Sequence, residues 1–207
     1  MAKALVELLK KEFPEAVVET HAQHGDETVV VDPGSWQKVA RFLRESPAAD
    51  MDMLSDMTAV DFPEREPRFE VVMHLYSLHR GHRLRLKARV GDIDGEGAEI
   101  DTVSHIWGIA NWAEREIWDM FGVRFRGHPD LRRILMYREF EGFPLRKDYP
   151  ADRIQPLVPY RDVPNIDKLP PFGPDEGMPF GRQTHTYVPS DEHEEGVAFA
   201  ADDSRMD

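Results

Sequence analysis

Two runs near the middle of the chain, "FEVVMHLYSL" (69–78) and "HRLRLKARV" (82–90), alternate apolar and polar residues almost without a break. Period-two alternation fits a strand with one face buried and one face wet, and a one-residue slip would turn every apolar side chain out. The Arg80-Gly81 step between the runs predicts a tight turn, so the pair reads as an antiparallel hairpin. A second hairpin is predicted in "AVVETHAQHGDETVVVD", two β-branched runs parted by Gly25-Asp26. Helices bracket it. Lys3–Phe13 carries Leu5, Leu8 and Leu9 as an apolar stripe. "DPGSWQKVARFLRES" offers Ser35 as N-cap and an apolar face of Trp36, Val39, Ala40 and Leu43. Helix, two strands, helix and further strands predict an α+β fold: a two-layer sandwich of helices on a mostly antiparallel mixed sheet.

Periodicity fades after Tyr149, and eight of the sixteen prolines lie beyond position 150. The expected organisation is a folded domain over 1–150 and an extended Pro-rich arm over 151–207. The arm is acidic, with 12 acids against 5 bases, within a chain of net charge -13. That charge disfavours nucleic acid and anionic lipid as main partners. Zero cysteines exclude disulfides, thiol nucleophiles and cysteine-ligated iron–sulfur clusters. No apolar run approaches the roughly 18 residues of a membrane span. "MAKALVELLKKEF" lacks the apolar core of a signal peptide, so a soluble, cytoplasmic chain is expected. The loop "GDIDGEGAE" (91–99) has neither a G-x-G-x-x-G pattern nor a Walker lysine.

The densest chemistry is "EREIWDMFGVRFRGHPDLRRIL" (114–135), with four acids, five arginines and a histidine in 22 positions. A helix is predicted from about Ser104 to Gly122, the glycine suiting a left-handed C-terminal cap. At about 100° per residue, Trp107, Ala110, Ile117, Trp118 and Phe121 share one face, and Glu114 falls in its middle. A carboxylate there needs a partner or a proton. The expected partner is an arginine from Arg124, Arg126, Arg132 or Arg133, in a structural salt bridge. A catalytic carboxylate and an interface acid awaiting a partner's cation remain alternatives. Arg115 and Asp119, four apart on the opposite side, are expected to pair. Trp112 lies among Arg115, Glu116 and Asp119, as an interface anchor with a polar rim or a ring half covered by the chain's own loop. His79 and His82 flank the 80–81 turn and could meet across it, and His21 and His24 repeat the H-x-x-H spacing, but neither pair has a third ligand nearby. His128, held extended by Pro129, reads as a hydrogen-bonding loop residue.

This block resembles the signature of the C-subunit family of respiratory complex I, the NADH–quinone oxidoreductase. Glu114, Arg115, Glu116, Asp119, Met120, Phe121, His128, Arg132, Ile134 and Leu135 occupy all its fixed positions. "GFPLRKDYP" (142–150) resembles the family's second block, with Phe143 where histidine is more usual. The resemblance extends over about 27–150. It implies a structural subunit of the proton-translocating enzyme's peripheral arm, on the cytoplasmic side of the cell membrane and without a span of its own. No cofactor is expected on this chain, with FMN, iron–sulfur clusters and quinone in other subunits. The implied main partner is the homologue of the enzyme's D subunit, which helps form the quinone site, beside other peripheral-arm subunits. The implied interface residues are Trp112, Glu114, Arg115, Glu116, Asp119, His128, Arg132, Arg133, Arg146, Lys147 and Asp148. Equivalent subunits of a membrane-bound hydrogenase or a ferredoxin- or deazaflavin-linked complex fit the same pattern. A free-standing hydrolase using Glu114, Asp119 and His128 is the reading from a different class.

Overall fold

The structure, a computed structural model, describes residues 2–156. The expected arm over 151–207 therefore lies almost wholly outside the described residues. Helix α1 (Ala2–Glu12) leads into strands β1 (Val17–Gln23) and β2 (Asp26–Val31), then helix α2 (Trp36–Glu45) and strands β3 (Met53–Asp61), β4 (Phe69–Ser77) and β5 (His82–Val90). These strands form one sheet in the order β1-β2-β5-β4-β3. Within it only β2 and β5 run parallel; the other pairs are antiparallel. The fold is the α+β sandwich expected.

Both hairpins close where the turn residues predict. His24 and Gly25 take positive φ at the first, and Gly81 does at the second. The alternation of β4 and β5 sorts as required. Phe69, Val71, Met73 and Leu75 meet Val90, Ala88, Leu86 and Leu84 in register on the core face. The opposite face of β5 carries Arg83, Arg85, Lys87 and Arg89. Buried Glu70 takes Lys87 at 2.6 Å and Arg89 at 3.4 Å, and Glu19 takes Arg89 at 2.8 Å, so this cationic column is stitched across three strands.

The apolar faces of the helices cover the core side. Leu5 and Leu9 of α1, and Trp36, Val39, Ala40 and Leu43 of α2, are buried. Ser35 holds the N-cap position of α2 but makes no capping bond with its side chain. The third helix, α3 (Ala110–Phe121), starts later than expected. Residues 104–106 and 108–109 form turns instead, and the amide of Ser104 donates to Thr102 Oγ1 at 3.1 Å, a local bond that competes with helix. Trp107 thus reaches the core from between two turns, its indole N–H donating to the Met51 carbonyl at 3.1 Å. At the far end Gly122 caps α3 with φ of +82°, as predicted.

A second, two-stranded parallel sheet went unpredicted. β6 (Glu99–Asp101) and β7 (Arg124–Arg126) pair residue for residue, so the chain entering α3 lies beside the chain leaving it. No helix among the described residues is long and apolar enough to cross a membrane.

Candidate functional site

Three buried carboxylates organise the region of the two sequence blocks. The first is Glu114. Its side chain has no exposure, and its oxygens accept from Thr102 Oγ1 at 2.5 Å and the Val103 amide at 2.7 Å. His128 Nε2 stands 3.9 Å away, itself fully enclosed. The His128 Nδ1 accepts from the Asp130 amide at 3.0 Å, which leaves the ring proton on Nε2 to be donated to the Asn111 carbonyl at 3.1 Å. Burial pushes the Glu114 carboxyl up to about 7, against the opposing pull of Thr102 and Val103.

The expected Glu114–arginine bridge does not form. Arg124 and Arg126 sit on β7 and point to Glu99 and Asp101, at 3.9 and 2.9 Å. Arg132 pairs with Asp130 at 2.9 Å on the surface. Arg133 serves the second carboxylate, Asp119. That side chain is also unexposed, and it takes Arg133 Nη1 at 2.6 Å. Its Oδ2 collects the amides of Ile134, Leu135 and Met136 at 3.0, 2.8 and 2.9 Å. Burial alone would raise the Asp119 pKa, but the Met136 amide, the Arg133 guanidinium and the amides of Leu135 and Ile134 together hold it below the ordinary carboxylate range. The expected Arg115–Asp119 pair is absent for the same reason. Arg115 instead donates to the carbonyls of Arg132 and Arg133, both at 3.2 Å. Two residues on one helix thus hold both the amides and the carbonyls of one loop.

The third carboxylate, Asp61 at the end of β3, carried no sequence signal. It binds Arg68 through two bonds of 2.7 and 2.9 Å, and the Lys147 amide at 2.8 Å. Arg68 is 2% exposed and reaches onward to Asp148 at 2.9 Å. Arg146 donates through Nε to the Phe121 carbonyl at 2.6 Å and through Nη2 to the Gly95 carbonyl at 3.2 Å, while lying over the rings of Phe69 and Phe143. "LRKDYP" is therefore a clasp. It ties the C-terminus of α3 to the 91–98 loop and to β3.

The histidine pairs stay apart. His82 is buried against the Ala49 carbonyl at 2.8 Å, while His79 faces Asp50 at 3.3 Å from the surface. His21 lies 3.7 Å from Glu19. No group of three or more histidines, cysteines or acids among the described residues is arranged to hold a metal ion. Of the sequence-derived set, Glu114, Asp119, His128 and Arg133 are spent inside the fold. Trp112, Glu116, Arg132, Lys147 and Asp148 face outward. Trp112 is 65% exposed, so the chain's own described loop does not cover it.

The chain matches known proteins over most of its described residues. Residues 29–155 match the family described as respiratory-chain NADH dehydrogenase, 30 Kd subunit. The chain is 48% identical over 167 residues to a C subunit of the NADH-quinone oxidoreductase of Rhizobium meliloti (strain 1021), covering 81% of this chain and 83% of that one. It is 37% identical over 208 residues to the C subunit of the same enzyme of Ruegeria sp. (strain TM1040), covering 94% and 98%. Among solved structures it resembles a chain of the membrane-bound sulfane sulfur reductase, an archaeal respiratory membrane complex. That likeness has a TM-score of 0.61 at 26% identity, over 72% of this chain and 86% of that one. With both signature blocks folded into one clasped unit and relatives matching along most of its length, the chain belongs to the C-subunit family of the NADH-quinone oxidoreductases.

Proposed function

We propose that this chain is a cofactor-free structural and assembly subunit of the peripheral arm of a proton-translocating NADH–quinone oxidoreductase. It docks on the D-subunit homologue at the cytoplasmic face of the cell membrane, with other peripheral-arm subunits around it. FMN, the iron–sulfur clusters and the quinone belong to those other subunits.

The observation that carries the reading is how the charged residues are used. Glu114 and Asp119 are sealed at zero side-chain exposure, where no substrate can reach them, and each binds backbone amides of its own chain. Such groups fix shape; they do not turn over substrate. A free-standing hydrolase built on Glu114, Asp119 and His128 is disfavoured on the same ground. The exposed remainder, led by Trp112, has the composition of an interface: an aromatic anchor among charged side chains.

Co-expression with the D-subunit homologue tests this directly. A one-to-one complex with no flavin absorbance and no stoichiometric iron or zinc on this chain is the expected result. An active, soluble monomer would overturn it. The likeness to a chain of a sulfane sulfur reductase favours one second reading, the equivalent subunit of a respiratory membrane complex other than an NADH–quinone oxidoreductase, such as a ferredoxin-linked one. Assaying the assembled complex with NADH and with reduced ferredoxin separates the two.

A further inference from the structure

Among the described residues, strand β3 is the last strand of the large sheet and pairs only with β4. Beyond β4, its backbone makes no bond to the backbone of another element among the described residues, and the Met57 amide donates to Asp56 Oδ1 at 2.8 Å, leaving Oδ2 of that acid open. Helix α3 runs alongside, leaving a groove of about 460 Å³ between strand and helix. Met57 lies along the strand side; Ile109, Trp112 and Leu135 stand around the opening. These last three are 58%, 65% and 57% exposed, an unusual concentration of large apolar side chains on a chain of net charge -13. The polar rim is acidic. Asp56 and Glu116 are both exposed, and neither is ion-paired among the described residues.

A free strand edge beside a helix with an apolar channel between them is the geometry that accepts an added strand. The edge supplies directional main-chain bonds, and the channel takes every second side chain of the incoming segment. Left open, nine residues of edge strand invite indiscriminate pairing. The register irregularity between Leu54 and Asp56, together with the Asp56 charge, limits that pairing and favours a segment able to answer the acid.

We infer that an extended segment of a partner protein adds to the free edge of β3, laying alternate apolar side chains beside Trp112 and a lysine or arginine against Asp56 and Glu116. This rests on the reading of the chain as an assembly subunit and names the surface and the kind of segment involved. Trp112 is the anchor, and the two acids select for a basic flank and steer its approach.

The test uses the full chain co-expressed with the D-subunit homologue. Trp112→Ala should leave the melting curve of the free chain unchanged and weaken the complex roughly tenfold or more. Asp56→Lys with Glu116→Lys should slow association and reverse its salt dependence. Hydrogen exchange across 53–60 should slow in the complex. A photo-crosslinking residue in place of Ser55 should capture an extended apolar segment with a basic flank from another protein of the complex. Capture of a second copy, of residues 157–207 of the same chain or of a partner helix would overturn the inference, as would unchanged exchange in β3. If the wild type binds and the variants bind equally well, only the groove is wrong. If the wild type itself fails to bind, both readings fall.

Discussion

Glu114 and His128 face each other 3.9 Å apart in a space closed to solvent, and neither is satisfied by the other. The imidazole N–H goes to the Asn111 carbonyl, and the carboxylate relies on one hydroxyl and one amide. No cation among the described residues is close enough to offset its desolvation, so the carboxyl titrates near 7 in place of its ordinary 4.5. Between those values the folded chain holds a proton that the unfolded chain has released. The Glu114 contribution to stability is therefore full below about pH 4.5, falls as pH rises through 7, and is lower by about 3 kcal/mol above that. Glu114→Gln removes the titration while keeping the shape. Urea denaturation of the full chain at several pH values between about 5 and 8 should show this slope in the wild type and a flatter one in the variant. The variant should be the more stable protein at the alkaline end. Parallel slopes would place the effect at another group.

Asp119 behaves in the opposite sense. Its depressed pKa means the stability it contributes is present above the ordinary carboxylate value of 3.8 and is lost as pH falls through the lower folded value. Asp119→Ala would strand the Arg133 guanidinium and three amides, costing about 3–5 kcal/mol as for half of a buried pair. Because those groups all lie in one loop, the damage should be local first. Limited trypsin digestion should open the variant at Arg132, Arg133 and Arg138 before the rest of the chain is cut. Simultaneous loss of the whole fold, with no early loop cleavage, would show that Asp119 supports the core and not the loop.

What the sequence made legible was whatever repeats locally. Alternation located β4 and β5, and helical spacing buried Trp36, Val39, Ala40 and Leu43 correctly. The same spacing placed Glu114 inside. It failed on the partner, because Arg124 and Arg126 are carried outward on β7, Arg132 pairs with Asp130 and Arg133 serves Asp119, while Thr102, a residue with no charge to attract notice, follows β6 and is brought in. Helical spacing puts Asp119 on the polar side, and says nothing about a loop folding back over that side. The Asp61–Arg68–Asp148 cluster joins residues up to 87 positions apart through a fold that has to exist first (148 minus 61). No local pattern announces it.

Gly122 offers a sharper test of the clasp. Its φ of +82° is one that residues with a Cβ rarely adopt, and an added Cβ would fall 2.6 Å from Arg146 Nη2 and 2.6 Å from the Phe143 ring. Arg146 cannot withdraw freely, since its Nε is bonded to the Phe121 carbonyl at 2.6 Å. Gly122→Ala should cost roughly 1 kcal/mol for the backbone and about 1–3 more for overpacking. Gly25 shares the positive φ, at +90°, with nothing within 4 Å of an added Cβ. Gly25→Ala should cost the backbone share alone. Equal losses in denaturant would mean the second sequence block yields without resistance.

The last prediction separates the two acids that share Arg68. Asp61 has no exposed side-chain surface and holds the guanidinium through two bonds, whereas the Asp148 side chain is 58% exposed. Arg68 is itself 2% exposed, so a lost partner is not replaced by bulk water. Asp61→Ala leaves a buried cation facing an empty space and the Lys147 amide without its acceptor; about 3–5 kcal/mol is the expected loss. Asp148→Ala removes a partner that water already screens, and under about 1 kcal/mol is expected. The pH dependence divides in the same way. Hydrogen bonds from Arg68 and the Lys147 amide outweigh burial and lower the Asp61 pKa, so its contribution is present above 3.8 and fades as pH falls through the folded value. Asp61→Asn should reduce the acid sensitivity, measured as the shift in denaturation midpoint between about pH 3 and pH 6, by more than Asp148→Asn does, because the pull of Arg68 on the Asp148 carboxyl is screened by solvent; the Asp119 share should persist in both variants. A larger effect at Asp148 would show that the exposed acid anchors the second sequence block, and that Arg68 answers outward to the surface and not inward to β3.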